Sequence, residues 1–414
     1  MDVSVHVDMD SATVNVGTLF SHRRRGAESA TFTYTSGYLG LPDSYSLDPE
    51  LPLGSPPWQT RLGSAMFGAF GDCAPDRWGR TLVRRREEET ARLTGQAART
   101  LGEVDYLLAV RDDLRQGALR FRAGRGEGHG EFLAEDVGVP ALSDLPQLLE
   151  LAARAEAATA DLADLRRLVP VGSSLGGARP KVHVRDVDGR LAIAKFPSAA
   201  HDTWNVMAWE WVAVQLAREA GISVPDSTLL HLAGRAVLVV DRFDRRADGT
   251  RIGYVSAMTM LEADDGVQRS YLEIAEVIEN HSDRASADLE QLWRRIAFTV
   301  LISNTDDHLR NHGFLHARND TWRLSPAFDL NPNPAPGVRR LSTAIDTEDD
   351  RASVQAALSV APYFRLTPAR ARQVLREVAD AVSSWRAAAS KAGLSRAEID
   401  QMTPAFGALS TLDT

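Results

Sequence analysis

The chain opens with alternating apolar and polar positions. In "DVSVHVDM" the side chains of Val3, Val5 and Val7 fall on one face, as in a half-buried strand. "ATVNVGTLF" and "ATFTYTSGYL" continue the alternation, so the first forty residues predict a small antiparallel sheet. From Trp58 the pattern is mixed, and "FGDCAPDRWGRTLVRRREEETARL" reads as a turn leading into a charged helix. The stretch from "EFLAEDVGVPALSDLPQLL" to "ADLRRLV" opens as a loop and becomes helical, with Ser143 or Asp144 as the N-cap. "KVHVRD" and "RLAIAKF" flank Asp188-Gly189 and predict a hairpin. In "TWNVMAWEWVAVQLAREAG", Trp204, Met207, Ala208, Trp211 and Leu216 recur at helical spacing, and Gly221 stops the helix. "RAVLVVDRFDR" reads as a buried strand leaving into a polar loop.

Beyond residue 256 the strand pattern mostly vanishes. "SYLEIAEVIENH", "SADLEQLWRRIAFTVLIS" and "TPARARQVLREVADAVSSWRAAASKAG" are helices, the last with Thr367 at its cap, Pro368 at its first position and Gly393 beyond its end. Ser395 and Glu398 form a capping box for a further helix. The fold class expected is α+β, with a β-rich mixed N-terminal half and a mainly helical C-terminal half.

Composition narrows the function classes. The 414 residues suffice for two or three domains, and 44% hydrophobic with 25% charged residues is an ordinary globular balance. A net charge of −9 with no long basic run lacks the footprint of a protein that binds nucleic acid by itself. Cys73 is the only cysteine, so no intrachain disulfide forms, which fits a reducing compartment. The sequence shows neither a signal peptide nor an apolar run long enough to span a membrane, and the expected location is cytoplasmic.

Chemistry concentrates in "ISNTDDHLRNHGFLH", Ile302 to His316. His308, His312 and His316 would share a zinc-binding face only on a continuous helix. Gly313 and the β-like "GFLHA" end the helix near Ser303. The alternative is phosphoryl transfer. Asp306 and Asn311 stand five positions apart, as in the kinase loop H-R-D-x-x-x-x-N. Asp329 follows eighteen residues after Asn311, beyond a hairpin turning at Asn319-Asp320, placed like the Mg²⁺-binding Asp of D-F-G. Upstream, Ser173-Ser174-Leu175-Gly176-Gly177-Ala178-Arg179-Pro180-Lys181 is a glycine-containing loop, though not a Walker A. Lys195 ends a strand resembling the kinase V-A-I-K, and Glu210 on the next helix would pair with it. Loop, lysine, glutamate, apolar strand, Asp-to-Asn loop and metal Asp follow one another in kinase order. That order points to ATP and Mg²⁺.

With these residues in view, the chain resembles HipA-type serine/threonine kinase toxins over nearly its full length. "SSLGGARPK", "LAIAKFP", "WEWVAVQLAREAGISVPDS", "VLVVDRFDRR", "NTDDHLRN" and "SPAFDLNP" carry the resemblance, with "FGDCAPDRWGR" and "GEVDYLLAV" near the N-terminus. It implies a bilobal, protein-kinase-like fold: residues 1–135 as an N-terminal subdomain, 136–256 as the kinase N-lobe and 257–414 as the helical C-lobe. It further implies Asp306 as the base, Asn311 and Asp329 on Mg²⁺, and Lys195 on the ATP phosphates. Lys181 and the backbone from Leu175 to Ala178 would line the phosphate loop, with Asp241, Arg242 and Phe243 at the hinge near adenine and His308 supporting the loop. Autophosphorylation is expected at Ser174, with Ser173 beside it as the alternative. The implied partners are a HipB-like helix-turn-helix antitoxin, through which alone DNA would be reached, and a protein substrate such as an aminoacyl-tRNA synthetase. Asp307 departs from the family's pattern, standing where many relatives carry a small residue. Two alternatives come from the same residues. Asp306-x-His308-x-x-Asn311 also resembles phosphoinositide kinases, and a catalytically dead kinase fold would serve as a binding module.

Overall fold

A computed structural model describes residues 1–9, 12–124, 132, 138–172, 177–347 and 349–411. The chain forms two compact units. The first comprises Met1–His201, Asp244–Val255 and Arg318–Asp320; the second comprises Asp202–Phe243, Ser256–Ala317 and Thr321–Thr414.

The first unit begins with the expected strands: β1 (Asp2–Met9), β2 (Ala12–Arg24) and β3 (Ala27–Tyr34). With β4 (Trp58–Gln59) and β5 (Leu119–Ala123) they form one sheet in the order β4-β3-β2-β1-β5. The register of β1 on β2 slips between Val5 and His6, leaving Val16 of β2 as the extra residue of a bulge, and residues 3–7 of β1 are all buried. Phe32, Phe70 and Phe121 meet edge to face over this sheet, with centroids 5.4 and 5.5 Å apart. Arg115 is buried, its guanidinium lies 4.7 Å from the Phe121 ring centroid, and it donates to the backbone carbonyls of Cys73, Leu107 and Val110. Burial pushes the Cys73 thiol up to about 12, so this cysteine is inert.

The charged helix expected after the turn is α1 (Arg77–Thr94). Asp76 caps it by accepting the Gly79 amide at 2.7 Å, and Gly95 closes it in the left-handed conformation. The next helical stretch is two helices, α2 (Leu145–Glu156) and α3 (Leu162–Gly172), with α3 packed against α1. Asp144 does occupy the N-cap position of α2, but its carboxylate turns back to the Ala141 amide. The hairpin follows as β6 (Lys181–Arg185) and β7 (Leu191–Lys195).

The second unit contains α4 (Val206–Glu219), then the hairpin β8 (Ser227–Leu232) and β9 (Arg235–Asp241). Helices α5 (Tyr271–His281) and α6 (Ala285–Leu301) lead to a second hairpin, β10 (Gly313–Arg318) and β11 (Thr321–Leu324). The single long C-terminal helix expected from the pattern breaks at Ser384 into α7 (Pro368–Ser383) and α8 (Trp385–Lys391). Core packing overrides the pattern there: Trp385 stacks on Phe406 at 4.2 Å and lies 6.0 Å from the fully buried Trp209. Helix α6 is buried nearly all along its second half and packs against α5 and α7. It is the element that sets the loop after it. Among the described residues, no helix is long and apolar enough to cross a membrane.

Candidate functional site

Helix α6 ends in a Schellman motif. The amide of Asn304 bonds to the Thr299 carbonyl at 2.9 Å and that of Ser303 to the Val300 carbonyl at 3.3 Å. Ser303 takes the left-handed backbone usual for glycine there (φ 53°), and its hydroxyl donates to the Ala405 carbonyl at 2.7 Å. The loop that follows therefore leaves a rigid helix end in a fixed direction. Its next turn is closed by backbone bonds from His308 to Asp306 (2.9 Å) and from Asn311 to His308 (2.8 Å).

The two adjacent aspartates separate at this point. Asp306 is exposed, whereas Asp307 is buried. Asp307 accepts from the Tyr271 hydroxyl at 2.5 Å and the Thr299 hydroxyl at 3.2 Å, and His312 Nε2 lies 3.2 Å from its other oxygen. Burial would raise this carboxyl, but the His312 charge and the donors from His312, Tyr271 and Thr299 outweigh it and hold it below the usual carboxylate range. The Thr343 hydroxyl also donates to the Asp307 carbonyl at 2.7 Å. The second carboxylate is thus a pin that fixes the loop from beneath and turns Asp306 outward.

Asn311 is buried and commits its amide nitrogen to the Asp306 carbonyl at 3.1 Å, so its oxygen is the atom suited to a cation. Asp329 is partly buried and adopts a left-handed backbone (φ 59°), a conformation that costs a non-glycine residue on the order of 1 kcal/mol and gathers at functional sites. Asn331 steadies it, its side-chain nitrogen lying 3.2 Å from the Asp329 carbonyl. The loop and the Asp329 segment come together within this unit. Asn333 donates to the Thr305 hydroxyl at 2.7 Å, and a small cavity is lined by Asn311 and His312 on one side and by Phe328 and Leu330 on the other. Arg295, buried on α6, donates to the Ser325 carbonyl just before that segment. Phe243, of the expected hinge, lies 5.4 Å from Phe328, while Arg242 is buried and Asp241 partly buried. Glu210 is buried on α4. His308 and His316 do not share a face with His312 in a helix: His308 precedes a 3₁₀ turn, and His316 meets the Trp322 ring at 5.2 Å in the hairpin.

The first unit holds the lysines. In the β6–β7 register Lys181 stands directly opposite Lys195, which puts both side chains on one face of the hairpin. Two like charges so placed repel each other and favour an anion between or above them. The Lys181 ammonium also pairs with the Asp76 carboxylate at 2.8 Å, and Gly177 lies beside it. Gly177 and Ala178 are exposed. Ser173, Ser174, Leu175 and Gly176, named for the phosphate loop and its modification, lie outside the described residues.

Sequence reasoning missed Tyr271, Thr299, His312 and Asp76 as supports. Tyr271 lies thirty-six residues from Asp307 and Asp76 over one hundred from Lys181, separations that carry no local signal.

The mixed sheets and helices have the fold of HipA. The HipA of Shewanella oneidensis MR-1, solved with HipB and its operator DNA, superposes with a TM-score of 0.64 at 17% identity over 99% of this chain and 96% of that one. The model of the HipA-like C-terminal domain matches residues 173–385, more than half of the chain, and the chain belongs to that family. Toxin YjjJ of Escherichia coli is 28% identical over 226 residues, 48% of each chain. A Haemophilus influenzae protein named "Putative kinase" is 28% identical over 145 residues, 31% of this chain and 42% of that protein. The chain spans less than half the length of these curated relatives.

Proposed function

We propose that this protein is an ATP- and Mg²⁺-dependent serine/threonine protein kinase of the HipA toxin type. One observation carries the reading: an outward-facing Asp306, tied through its carbonyl to Asn311, beside the strained Asp329 segment. In this reading Asp306 orients the substrate hydroxyl and takes its proton. The Asn311 amide oxygen and the Asp329 carboxylate are hard oxygen ligands of the kind Mg²⁺ accepts, completed by water and phosphate. Mg²⁺ would supply charge neutralisation on the phosphates. Lys181 and Lys195 bind those phosphates together with the Leu175–Ala178 backbone, Glu210 supports Lys195, and Asp241 to Phe243 border adenine with His308 steadying the loop. Residues 1–135, 136–256 and 257–414 then serve as N-terminal subdomain, nucleotide-binding lobe and catalytic lobe.

By resemblance, the substrate is a cytoplasmic protein such as an aminoacyl-tRNA synthetase, and the chain phosphorylates itself at Ser174 or Ser173. Its partner is a HipB-like antitoxin that carries the DNA contacts. The net charge of −9 agrees with this, since duplex affinity comes mainly from phosphate neutralisation.

The test is transfer of labelled phosphate from ATP to the protein itself. Asp306→Asn should abolish transfer and leave ATP binding nearly intact, whereas Asp329→Asn should weaken Mg²⁺–ATP binding as well. Parent-level transfer in both variants would sink the assignment.

A further inference from the structure

The first unit carries a buried ion pair that the kinase reading leaves unexplained. The Asp76 and Lys181 side chains are each 6% exposed and meet at 2.8 Å, although they lie 105 residues apart. Asp76 belongs to the "APDRWGR" turn, far upstream of every residue named for nucleotide chemistry.

Its two carboxylate oxygens do different things. Oδ1 caps α1 through the Gly79 amide at 2.7 Å, and Oδ2 holds the Lys181 ammonium. Trp78, in the first turn of the same helix, donates its indole N–H to the Lys181 carbonyl at 3.2 Å. The start of β6 is therefore fastened to the start of α1 by both backbone and side chain. The ammonium is fixed on the loop side: a Cβ on Gly177 would lie 2.9 Å from Lys181 Nζ, and Gly177 has a φ of +107°. A side chain there would be strained by the backbone and would crowd the cation, so glycine is favoured and the loop backbone passes close to the ammonium.

Lys195 stands opposite Lys181 in the hairpin, so the two cations would push each other apart without a counter-charge. Burial raises the Asp76 carboxyl, and the charge and hydrogen bond of Lys181 oppose that rise. An ammonium has three donors. The Asp76 contact uses one of them, so the ion pair and a phosphate contact are compatible in donor number.

We propose that Asp76 is a positioning residue for the phosphate site, holding the Lys181 ammonium under the Gly177 backbone so that it meets the ATP phosphates. This rests on the kinase reading above. It extends the nucleotide site into the N-terminal "APDRWGR" turn.

Asp76→Asn separates the two jobs of the side chain, because asparagine caps a helix as well as aspartate but carries no charge. Binding of ATP and of adenosine would be measured by calorimetry on the full chain, with helicity checked by circular dichroism. ATP affinity should fall about tenfold, while adenosine, which has no phosphate, binds as to the parent. Asp76→Glu should restore most of the ATP affinity. In a Lys181→Gln background, Asp76→Asn should cost nothing further, since the effect runs through the lysine. Unchanged or tighter ATP binding by Asp76→Asn would overturn the proposal, as would an equal loss for adenosine or a full additional loss in the Lys181→Gln background. A parent protein that binds no ATP would instead remove the kinase reading, and this proposal with it.

Discussion

Two buried aspartates, Asp48 in the first unit and Asp307 in the second, have opposite electrostatics. Asp48, in the first unit, accepts the Ala69 amide at 2.7 Å through one oxygen, while its other oxygen has no hydrogen-bond partner among the described residues. Desolvation dominates and pushes its carboxyl up to about 7. Asp307, in the second unit, is equally buried but faces Tyr271, Thr299 and His312, and its carboxyl is held below the usual range. Burial by itself therefore does not decide the charge state; the number of donors does. Asp48 is a structural cap that tolerates a proton. Asp307 is an anion built into the support of the candidate catalytic loop.

The largest expected effect is at Asp307. Asp307→Ala leaves the Tyr271 and Thr299 hydroxyls without their acceptor and removes the carboxylate beside the His312 ring, and breaking a buried cluster of this kind costs about 3–5 kcal/mol. Its neighbour gives the contrast. Asp306→Ala, on an exposed side chain, should change stability by no more than about 0.5 kcal/mol while abolishing phosphoryl transfer. Denaturant unfolding of the two variants, alongside the transfer assay, checks both halves. Equal stability losses would erase the division of labour between the adjacent aspartates.

A smaller effect of opposite sign is expected at Asp48. Its folded-state value of about 7 lies above the unfolded value of about 3.9, so the folded protein binds the extra proton between those limits. The stability contributed by that proton is complete below about pH 4 and lost as pH rises through about 7. Asp48→Asn mimics the protonated form, so it should stabilise the protein by about 1–3 kcal/mol at pH 8 and by little at pH 5. Asp307 runs the other way. Its depressed value supplies stability above about pH 4 that disappears as pH falls through the folded value. Unfolding free energies of Asp48→Asn and the parent at pH 5 and 8 test the sign. A variant that loses stability at pH 8 would mean that the Asp48 charge is compensated after all.

How much of this was legible in the sequence follows the range of the interactions. The sheet of β1 to β3, the β6–β7 hairpin, the end of α6 and the caps at Thr367 and Ser395 are local events, and alternation, turn residues and capping residues announced them. The Schellman end at Ser303 was placed correctly by Gly313 and the β-like stretch, although serine is not the residue that usually marks it. Strands β4 and β5 and the break at Ser384 went unread, because pairing partners and an aromatic cluster far along the chain create them. The candidate site divides the same way. Asp306, Asn311 and Asp329 are candidates named from spacing alone, and Asp307 stands out in the sequence only as an irregularity. Its role depends on Tyr271, Thr299 and His312, of which only His312 lies in the same loop.

The smallest effect should come from the loop's other ion pair. Arg310 lies three residues from Asp307 and donates to both oxygens of Asp265, at 3.1 and 2.9 Å, so its geometry is at least as good as that of the buried cluster. The difference is water: the two side chains are 41% and 77% exposed. In that setting solvent screens most of the attraction, and holding two long side chains in place costs entropy. Arg310→Ala should therefore change unfolding free energy by less than about 0.5 kcal/mol, and moderate salt should remove even that difference. ATP affinity should stay at the parent level, because the loop is fixed from below by Asp307 rather than from outside by Arg310. If Arg310→Ala proved as costly as Asp307→Ala, the loop would be held by its surface, and the buried carboxylate would lose its place as the support of the site.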